Sequence, residues 1–237
     1  KVSKTVRPDF AIRNIAFSGH RFFAASRERA LWYLRLGLSW ERTSVGSHGI
    51  DFVIHHDSPR KNHLDWYRLT HGKRDIVSRG GKPCLSAPGL ARANIEFVQK
   101  YFDVYGAASC SVMPTDGYVS LCQCDLCRDK DTPERGYPGQ LSDYVWSYVD
   151  KVARGAYKTH PDKKIVCGAY SAYKLPPEKI DRLSANVRAM ISQNRYRFHD
   201  PVVRREALEL RKAWLLKLSG DRPLSLHDNY SHWRGAL

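Results

Sequence analysis

Apolar and polar positions follow two rhythms along this chain. Short apolar runs closed by Gly, Pro, Asn or Asp read as buried strands, and stretches with apolar residues three and four apart read as helices. Phe10 to Phe17 (FAIRNIAF) predicts a first strand, and Ser26 to Leu36 a helix with Ala30, Leu31 and Leu34 on one side. Gly37 to Trp40 predicts a second short strand, Val53 to His56 a strand or a loop, and Thr70 to Gly72 a turn. Lys82 to Ser86 (KPCLS) predicts a strand closed by Pro88-Gly89, before a helix that runs to about Tyr105. Leu90, Asn94, Phe97, Val98 and Tyr101 share one side of that helix. Ser109 to Met113 predicts a buried strand. Ser142 is a good N-cap for the next helix, with Asp143 favourable in its first turn and Val145, Val149, Val152, Ala153 and Ala156 as its apolar stripe.

Lys164 to Tyr170, Val187 to Ser192 and Pro223 to Leu226 predict three more strands. Between the last two, Asp200-Pro201 is an N-cap followed by Pro at the first helical position. That helix runs to about Leu218, with Val203, Leu210, Ala213 and Trp214 facing inward.

Strand and helix thus alternate, with spacers long enough for parallel crossovers. A (β/α)8 barrel and an open doubly wound sheet both fit that order. No G-x-G-x-x-G or Walker sequence occurs, which weakens the nucleotide-binding version. Polar and aromatic residues gather just after the strands: Asp116, Tyr170, Arg195, Asp228 and Tyr230. A barrel collects such residues in one pocket at its carboxyl-end face. The expected fold is therefore an α/β barrel of TIM type, truncated because the sequence stops just after the seventh candidate strand. Residues 1–237 are expected to be one such domain, a fragment of a longer protein.

The stretch 109–127, SCSVMPTDGYVSLCQCDLC, carries the densest chemistry. Its apolar start is broken by Pro114, Thr115, Asp116 and Gly117, so Asp116 falls at a strand end, although Asp-Gly is also ordinary turn chemistry. Cys122, Cys124 and Cys127 follow as C-x-C-x-x-C, a spacing that suits a metal knuckle or a local disulfide holding the Asp116 loop. Three thiolate ligands need a fourth, and Cys84 is the choice. A four-thiolate site is closed and structural. Cys110 and Cys167 lie in strand-like runs and read as core.

Composition adds constraints. Apolar residues make up 42% of the 237, so the chain is globular, and no apolar run approaches the roughly 18 residues of a membrane helix. Thirty-nine Lys and Arg against 24 Asp and Glu give a net charge of +15, which attracts polyanions. The basic residues are scattered. The densest groups, Arg204-Arg205 with Arg211-Lys212 and Lys158 to Lys164, fall in or beside predicted helices and read as solvated faces. With no zinc-finger, RNA-recognition or basic-zipper pattern, a nucleic-acid partner is disfavoured. The chain opens at Lys1 without Met, so the lack of a visible signal peptide carries no weight. The expected setting of the full-length protein is periplasmic or extracellular.

Several motifs, in order, resemble a known family. HLDWYRLTHGKR resembles a segment that often reads HPE-aromatic-aromatic-AL-x-x-GKR, and PCLSAPGL resembles its LCLSNP segment. SVMPTDG with CQCDLC, then SDYVWSYVDKVARGAYKTHPDKKIVCGAYSAYKLPP, extend the likeness over about residues 48 to 234. The chain is similar to the bacterial domain of unknown function 4838 family, which occurs in large glycan-associated proteins and is related to barrel glycoside hydrolases such as α-glucuronidases. His63-Leu64-Asp65 stands where HPE is usual, and Ala87 where Asn is usual.

The resemblance implies a glycoside-hydrolase-like barrel and an oligosaccharide or polysaccharide partner, in keeping with the basic charge an anionic one. Glycosidic cleavage needs two carboxyl groups, one protonated and one ionised, about 5 to 10 Å apart. Asp116 is the candidate general acid and Asp228 the candidate base or nucleophile, with Asp51 in reserve. His48, Tyr170, Tyr173, Arg195, Tyr230 and Trp233 are candidate sugar contacts, since aromatic faces stack on sugar rings and Arg pairs with sugar carboxylates. No cofactor is expected in catalysis. A structural zinc at Cys84, Cys122, Cys124 and Cys127 is the one metal expected. A glycan-binding barrel without catalysis is the alternative.

Overall fold

The computed structural model describes residues 48–55, 57–76, 81–219 and 223–228, together with 31, 35 and 36. The chain divides into two compact units, Lys1–Thr43 and Ser44–Leu237. In the first unit residues 31 and 35 are helical, inside the expected Ser26–Leu36 helix, while the strands expected at 10–17 and 37–40 lie outside the described residues.

The second unit opens with two short helices, α1 (Asp51–Ile54) and α2 (Asp57–Asn62). Val53 and Ile54 are therefore helical, not strand, and His56 lies outside the described residues. Ile50 and Ile54 lie one helical turn apart and are both fully buried, and Val53 joins them, so the burial period here is that of a helix. A tight hairpin follows, β1 (Leu69–Thr70) with β2 (Lys73–Arg74). Its turn is His71-Gly72, with φ of 48° and 74°, the paired left-handed conformation that suits a two-residue hairpin.

Lys82 to Ser86 is not a strand of the sheet either. Pro83 makes only an isolated antiparallel bridge to Tyr67, with Arg68 N–H donating to Lys82 O at 2.7 Å and Cys84 N–H to Trp66 O at 2.8 Å. Proline has no N–H for a ladder, so pairing stops after one bridge.

The rest alternates as α3 (Leu90–Tyr105), β3 (Ser109–Ser111), α4 (Ser142–Tyr157), β4 (Lys164–Ala169), β5 (Val187–Gln193), α5 (Pro201–Lys217) and β6 (Leu224–Asp228). The four longer-range strands form one parallel sheet in the order β3-β4-β5-β6. Sequential order with no reversal means that these strands contain no topological switch point. Among the described residues β3 and β6 each have one strand neighbour. None of the described helices is long and apolar enough to cross a membrane.

The core lies between this sheet and its helices. Cys110 and Cys167 are fully buried in β3 and β4, as their apolar runs suggest. Trp146 of α4 and Trp214 of α5 meet edge-on, with ring centroids 4.5 Å apart, and both are fully buried. Each indole N–H is satisfied by a main-chain carbonyl, Tyr173 O for Trp146 at 3.1 Å and Lys174 O for Trp214 at 3.0 Å. These bonds clamp the turn after β4 to both helices. Of the four α5 residues expected to face inward, only Trp214 is fully enclosed; Val203, Leu210 and Ala213 are half-buried.

Helix ends show one correction. Ser142 is the first residue of α4, not its cap, and its hydroxyl has no hydrogen-bond partner among the described residues. Asp143 does stand in the first turn, and it has further partners: its Oδ1 accepts the N–H groups of Glu178 and Lys179 at 2.8 and 2.7 Å, and its Oδ2 faces buried Arg135 at 3.3 Å. Asp200 caps α5 as read, accepting Val202 N–H at 2.8 Å with Pro201 behind it.

Candidate functional site

β3 ends at Ser111, and the chain leaves it at the carboxyl edge of the sheet toward Asp116-Gly117. Gly117 has φ of 67°, so the turn uses the freedom glycine supplies. Asp116 Oδ1 accepts two donors there, the Tyr170 hydroxyl at 2.8 Å and Gly117 N–H at 2.9 Å. Tyr170 is the first residue after β4, which brings two consecutive strand ends onto one carboxylate. The Asp116 main-chain carbonyl accepts the Lys82 ammonium.

His48 comes from the other side. Its Nδ1 lies 2.6 Å from Pro114 O, and because a carbonyl only accepts, Nδ1 carries the proton. Nε2 then faces Asp116 Oδ1 at 3.7 Å, an ion pair whenever the ring is doubly protonated. Gly49 lets His48 approach. A Cβ at residue 49 would stand 1.7 Å from Ser111 O, so only glycine fits beside the end of β3. One residue behind Asp116, the Thr115 hydroxyl donates to Asp51 Oδ1 at 2.6 Å, and His55 Nε2 lies 4.0 Å from the same oxygen.

The Tyr170 hydrogen bond is the first cause of a lowered Asp116 pKa; burial opposes it, and the His48 ring, Gly117 N–H and Lys82 add to the lowering. The side chain is 78% exposed. A general acid needs its proton held on by burial or a like charge, whereas the direction of the shift at Asp116 favours the carboxylate. Tyr170 is pushed up to about 12 by burial and then by its bond to that carboxylate, so it remains a donor.

The cysteines form a second cluster beside the first. Sγ atoms of Cys84, Cys122, Cys124 and Cys127 all lie within 4.8 Å of one another. Cys84 Sγ is 3.7 Å from Cys124 Sγ and 3.5 Å from Cys127 Sγ, and all six cysteines of the chain are free, so the disulfide alternative falls. The Cys127 pKa is lowered, first by the hydrogen bond from Cys84, while that of Cys84 is raised by the same bond and by burial.

Further donors surround the sulfurs. Leu69 N–H lies 3.1 Å from Cys122 Sγ and the Arg74 guanidinium 3.7 Å from it. Lys130 Nζ donates to Ser86 Oγ at 3.2 Å and Ser86 Oγ to the Tyr144 hydroxyl at 3.2 Å, which leaves the Tyr144 proton for Cys127 Sγ, also 3.2 Å away. Every step of that chain points its hydrogen at the sulfur.

Not every expected residue joins the first cluster. Tyr173 is fully buried, with its ring edge-on to Tyr170 at 5.3 Å, so it supports the site from the core and presents no face to a ligand. Arg195 opens an exposed turn after β5. Asp228 is the last residue of β6 and is in register with Gln193 of β5. Its strand, β6, lies in the same sheet as β3, separated from it by β4 and β5. Tyr230 and Trp233 lie outside the described residues.

Lys82, Thr115, Arg74 and Tyr144 are contributors that pattern reading passed over. The G-K-R of 72–74 was visible as a motif segment, whereas Lys82 and Tyr144 gave no local signal.

A parallel sheet thus carries a carboxylate, an imidazole, a phenol and an ammonium at its carboxyl edge, with four clustered thiols in the adjoining loop. The family match agrees with the motif reading: residues 1–216 match the domain of unknown function DUF4838, and the chain belongs to that family. No curated protein matches it significantly.

Proposed function

We propose that the chain is a carbohydrate-active domain, a glycoside hydrolase whose four parallel strands are part of a (β/α)8 barrel. The observation that carries this reading is the meeting of Asp116, His48 and Tyr170 at the carboxyl ends of β3 and β4, because barrels assemble their chemistry at that face. The unreversed strand order supports a barrel over a doubly wound sheet. Asp116 is the ionised member of the pair, acting as base or nucleophile, with Tyr170 holding the carboxylate and orienting it. Asp228, on the same edge, is the candidate for the protonated partner. Arg195, Tyr230 and Trp233 complete the sugar subsites. The net charge of +15 suits an acidic oligosaccharide or polysaccharide. The cysteines enter as a structural zinc seat and take no part in the chemistry.

The test is a screen of the longer protein against neutral and uronic-acid-bearing glycans, followed by Asp116→Asn and Asp228→Asn. Each should lose several orders of magnitude in rate with the fold intact, on the order of 10²–10⁴ from acid–base terms alone. If both turn over normally, these carboxylates are turn formers and the enzymatic reading fails. The large exposure of Asp116 favours one second reading, a glycan-binding barrel without turnover. In that case Asp116→Asn weakens glycan retention while wild type and variant alike release no product.

A further inference from the structure

We infer that Cys84, Cys122, Cys124 and Cys127 bind one zinc ion as a closed tetrathiolate, and that this ion ties together the segments that carry the Asp116 turn. A tetrahedron with metal–sulfur bonds of about 2.3 Å has edges of about 3.8 Å. The Cys84–Cys124 and Cys84–Cys127 separations of 3.7 and 3.5 Å have that size, and the remaining sulfurs stay within 4.8 Å. Four thiols packed this tightly with no bond between them are explained by an ion at their centre.

The surroundings are those of sulfur anions, not of thiols. Leu69 N–H and Arg74 donate toward Cys122, and the Lys130–Ser86–Tyr144 chain delivers a proton donor to Cys127. Four thiolates around a divalent ion leave two negative charges; Arg74 and Lys130 offset them and the N–H and O–H donors spread them, the usual work of groups outside the ligand set. All four positions of a tetrahedron are filled by protein sulfur, which leaves no open site for substrate or water. Tetrahedral sulfur fits zinc, with mononuclear iron as the competitor.

The second half of the inference follows from what the sulfurs join. They tie the Lys82–Ser86 stretch to the loop 118–128, and through Leu69 and Arg74 to the β1–β2 hairpin. Gln123 N–H donates to Leu69 O at 2.9 Å and Gln123 Oε1 accepts His71 N–H, closing the same ring. Lys82, two residues before Cys84, holds the Asp116 carbonyl. Metal occupancy therefore sets the position of the Asp116 turn. The bearing of this on glycan chemistry rests on the function proposed above; the metal assignment does not.

The experiment uses the whole chain, purified under reducing conditions. Elemental analysis should give one zinc per chain, and replacement by Co²⁺ should give the thiolate charge-transfer band and intense visible bands of a tetrahedral site. Cys127→Ser should lower zinc affinity by at least about 10- to 100-fold, while Cys167→Ala, in the core of β4, should retain the metal. A chain that takes up no zinc, or iron in its place, overturns the assignment, as does Cys127→Ser binding as tightly as wild type. Should Cys127→Ser fail to fold, wild type stripped by a chelator and titrated with Zn²⁺ gives the same reading. Amide exchange on stripped and loaded protein tests the second half. Exchange should quicken at 67–76, 82–87 and 118–128 and stay unchanged in β4 and β5. Equal change everywhere, or none, overturns it. Failure of the glycan screen leaves these outcomes untouched, so the two readings fall separately.

Discussion

β4 and β5 pair over five residues and bury Ile165, Cys167, Ala169, Val187, Ala189 and Ile191 to 1% exposure or less. Segments 67–87 and 114–131, by contrast, hold two strands of two residues each and one 3-10 turn, Asp125–Cys127, among their described residues. Their bonds are mostly single and long-range: Arg68 to Ser120, His71 N–H to Gln123, Lys82 to Asp116. The sheet half is held by area removed from water, which is spread over many residues and tolerates small changes. The loop half buries fewer side chains, Tyr67, Leu85, Ala87 and Tyr118 among them, and adds a few directional contacts that meet at four sulfurs. The candidate site stands where the two halves meet, with the Asp116 loop on one side and Tyr170 at a strand end on the other.

That contrast can be broken at graded cost. Trp214→Ala removes the largest enclosed side chain of α5 and leaves Trp146 without its edge-on partner. It should cost about 3–5 kcal/mol of global stability, read as a lower urea midpoint. Metal content of the folded fraction should not change. If the metal is lost with the midpoint, the two halves are not separate.

Asp143→Ala comes next. It leaves Arg135, only 8% exposed, with Glu178 as its remaining ion-pair partner, and frees two N–H groups. Breaking such a buried pair costs about 3–5 kcal/mol, and the surviving Glu178 contact places the expected loss at the low end. Urea unfolding of the variant beside Asp143→Asn, which keeps one acceptor, separates the charge from the hydrogen bonds.

Arg74→Ala addresses the loop half alone. Zinc affinity should fall by about 10-fold, with the unfolding midpoint of zinc-loaded protein nearly unchanged. A competition titration with a chromophoric chelator reads it.

The smallest effect belongs to Tyr170→Phe. It removes the first cause of the lowered Asp116 pKa, so that pKa should rise toward the ordinary carboxylate value. The sign follows from linkage: a depressed carboxylate contributes above its unfolded pKa, and the contribution fades as pH falls through the folded one. Wild type should thus keep Asp116 ionised to lower pH than the variant, as followed by carboxyl-carbon NMR. Superimposed titration curves would remove Tyr170 from any role at Asp116.

How much of this could be read from the residues differs between the halves for the same physical reason. The strands of the sheet and helices α3, α4 and α5 announce themselves by period, because burial on a regular element repeats at 2 or 3.6 residues. Four cysteines announce a cluster by type, and Cys84 could be matched to the other three though it lies 38 residues before Cys122. Period failed at Val53 and Ile54, where one helical turn is too short to show it. It failed also at Lys82 to Ser86, whose apolar residues serve a bridge and a sulfur cluster. Asp116 was visible as a strand-end carboxylate. Its state of charge was not, since that depends on Tyr170, His48 and Lys82, which are distant in the chain.

Gly49 has a last implication, for how this site can change over time. Because a side chain there would collide with Ser111 O, the main chain under His48 is locked to the end of β3, whatever residue 48 is. The ring itself is held through Pro114 O, its approach to Asp116 and a tilted contact with the Tyr170 ring at 6.3 Å. Position 48 is thus a fixed socket with an exchangeable plug. Substitutions at 48 change the group beside Asp116 without moving the main chain that carries it, whereas any residue but glycine at 49 shifts that main chain against Ser111 O.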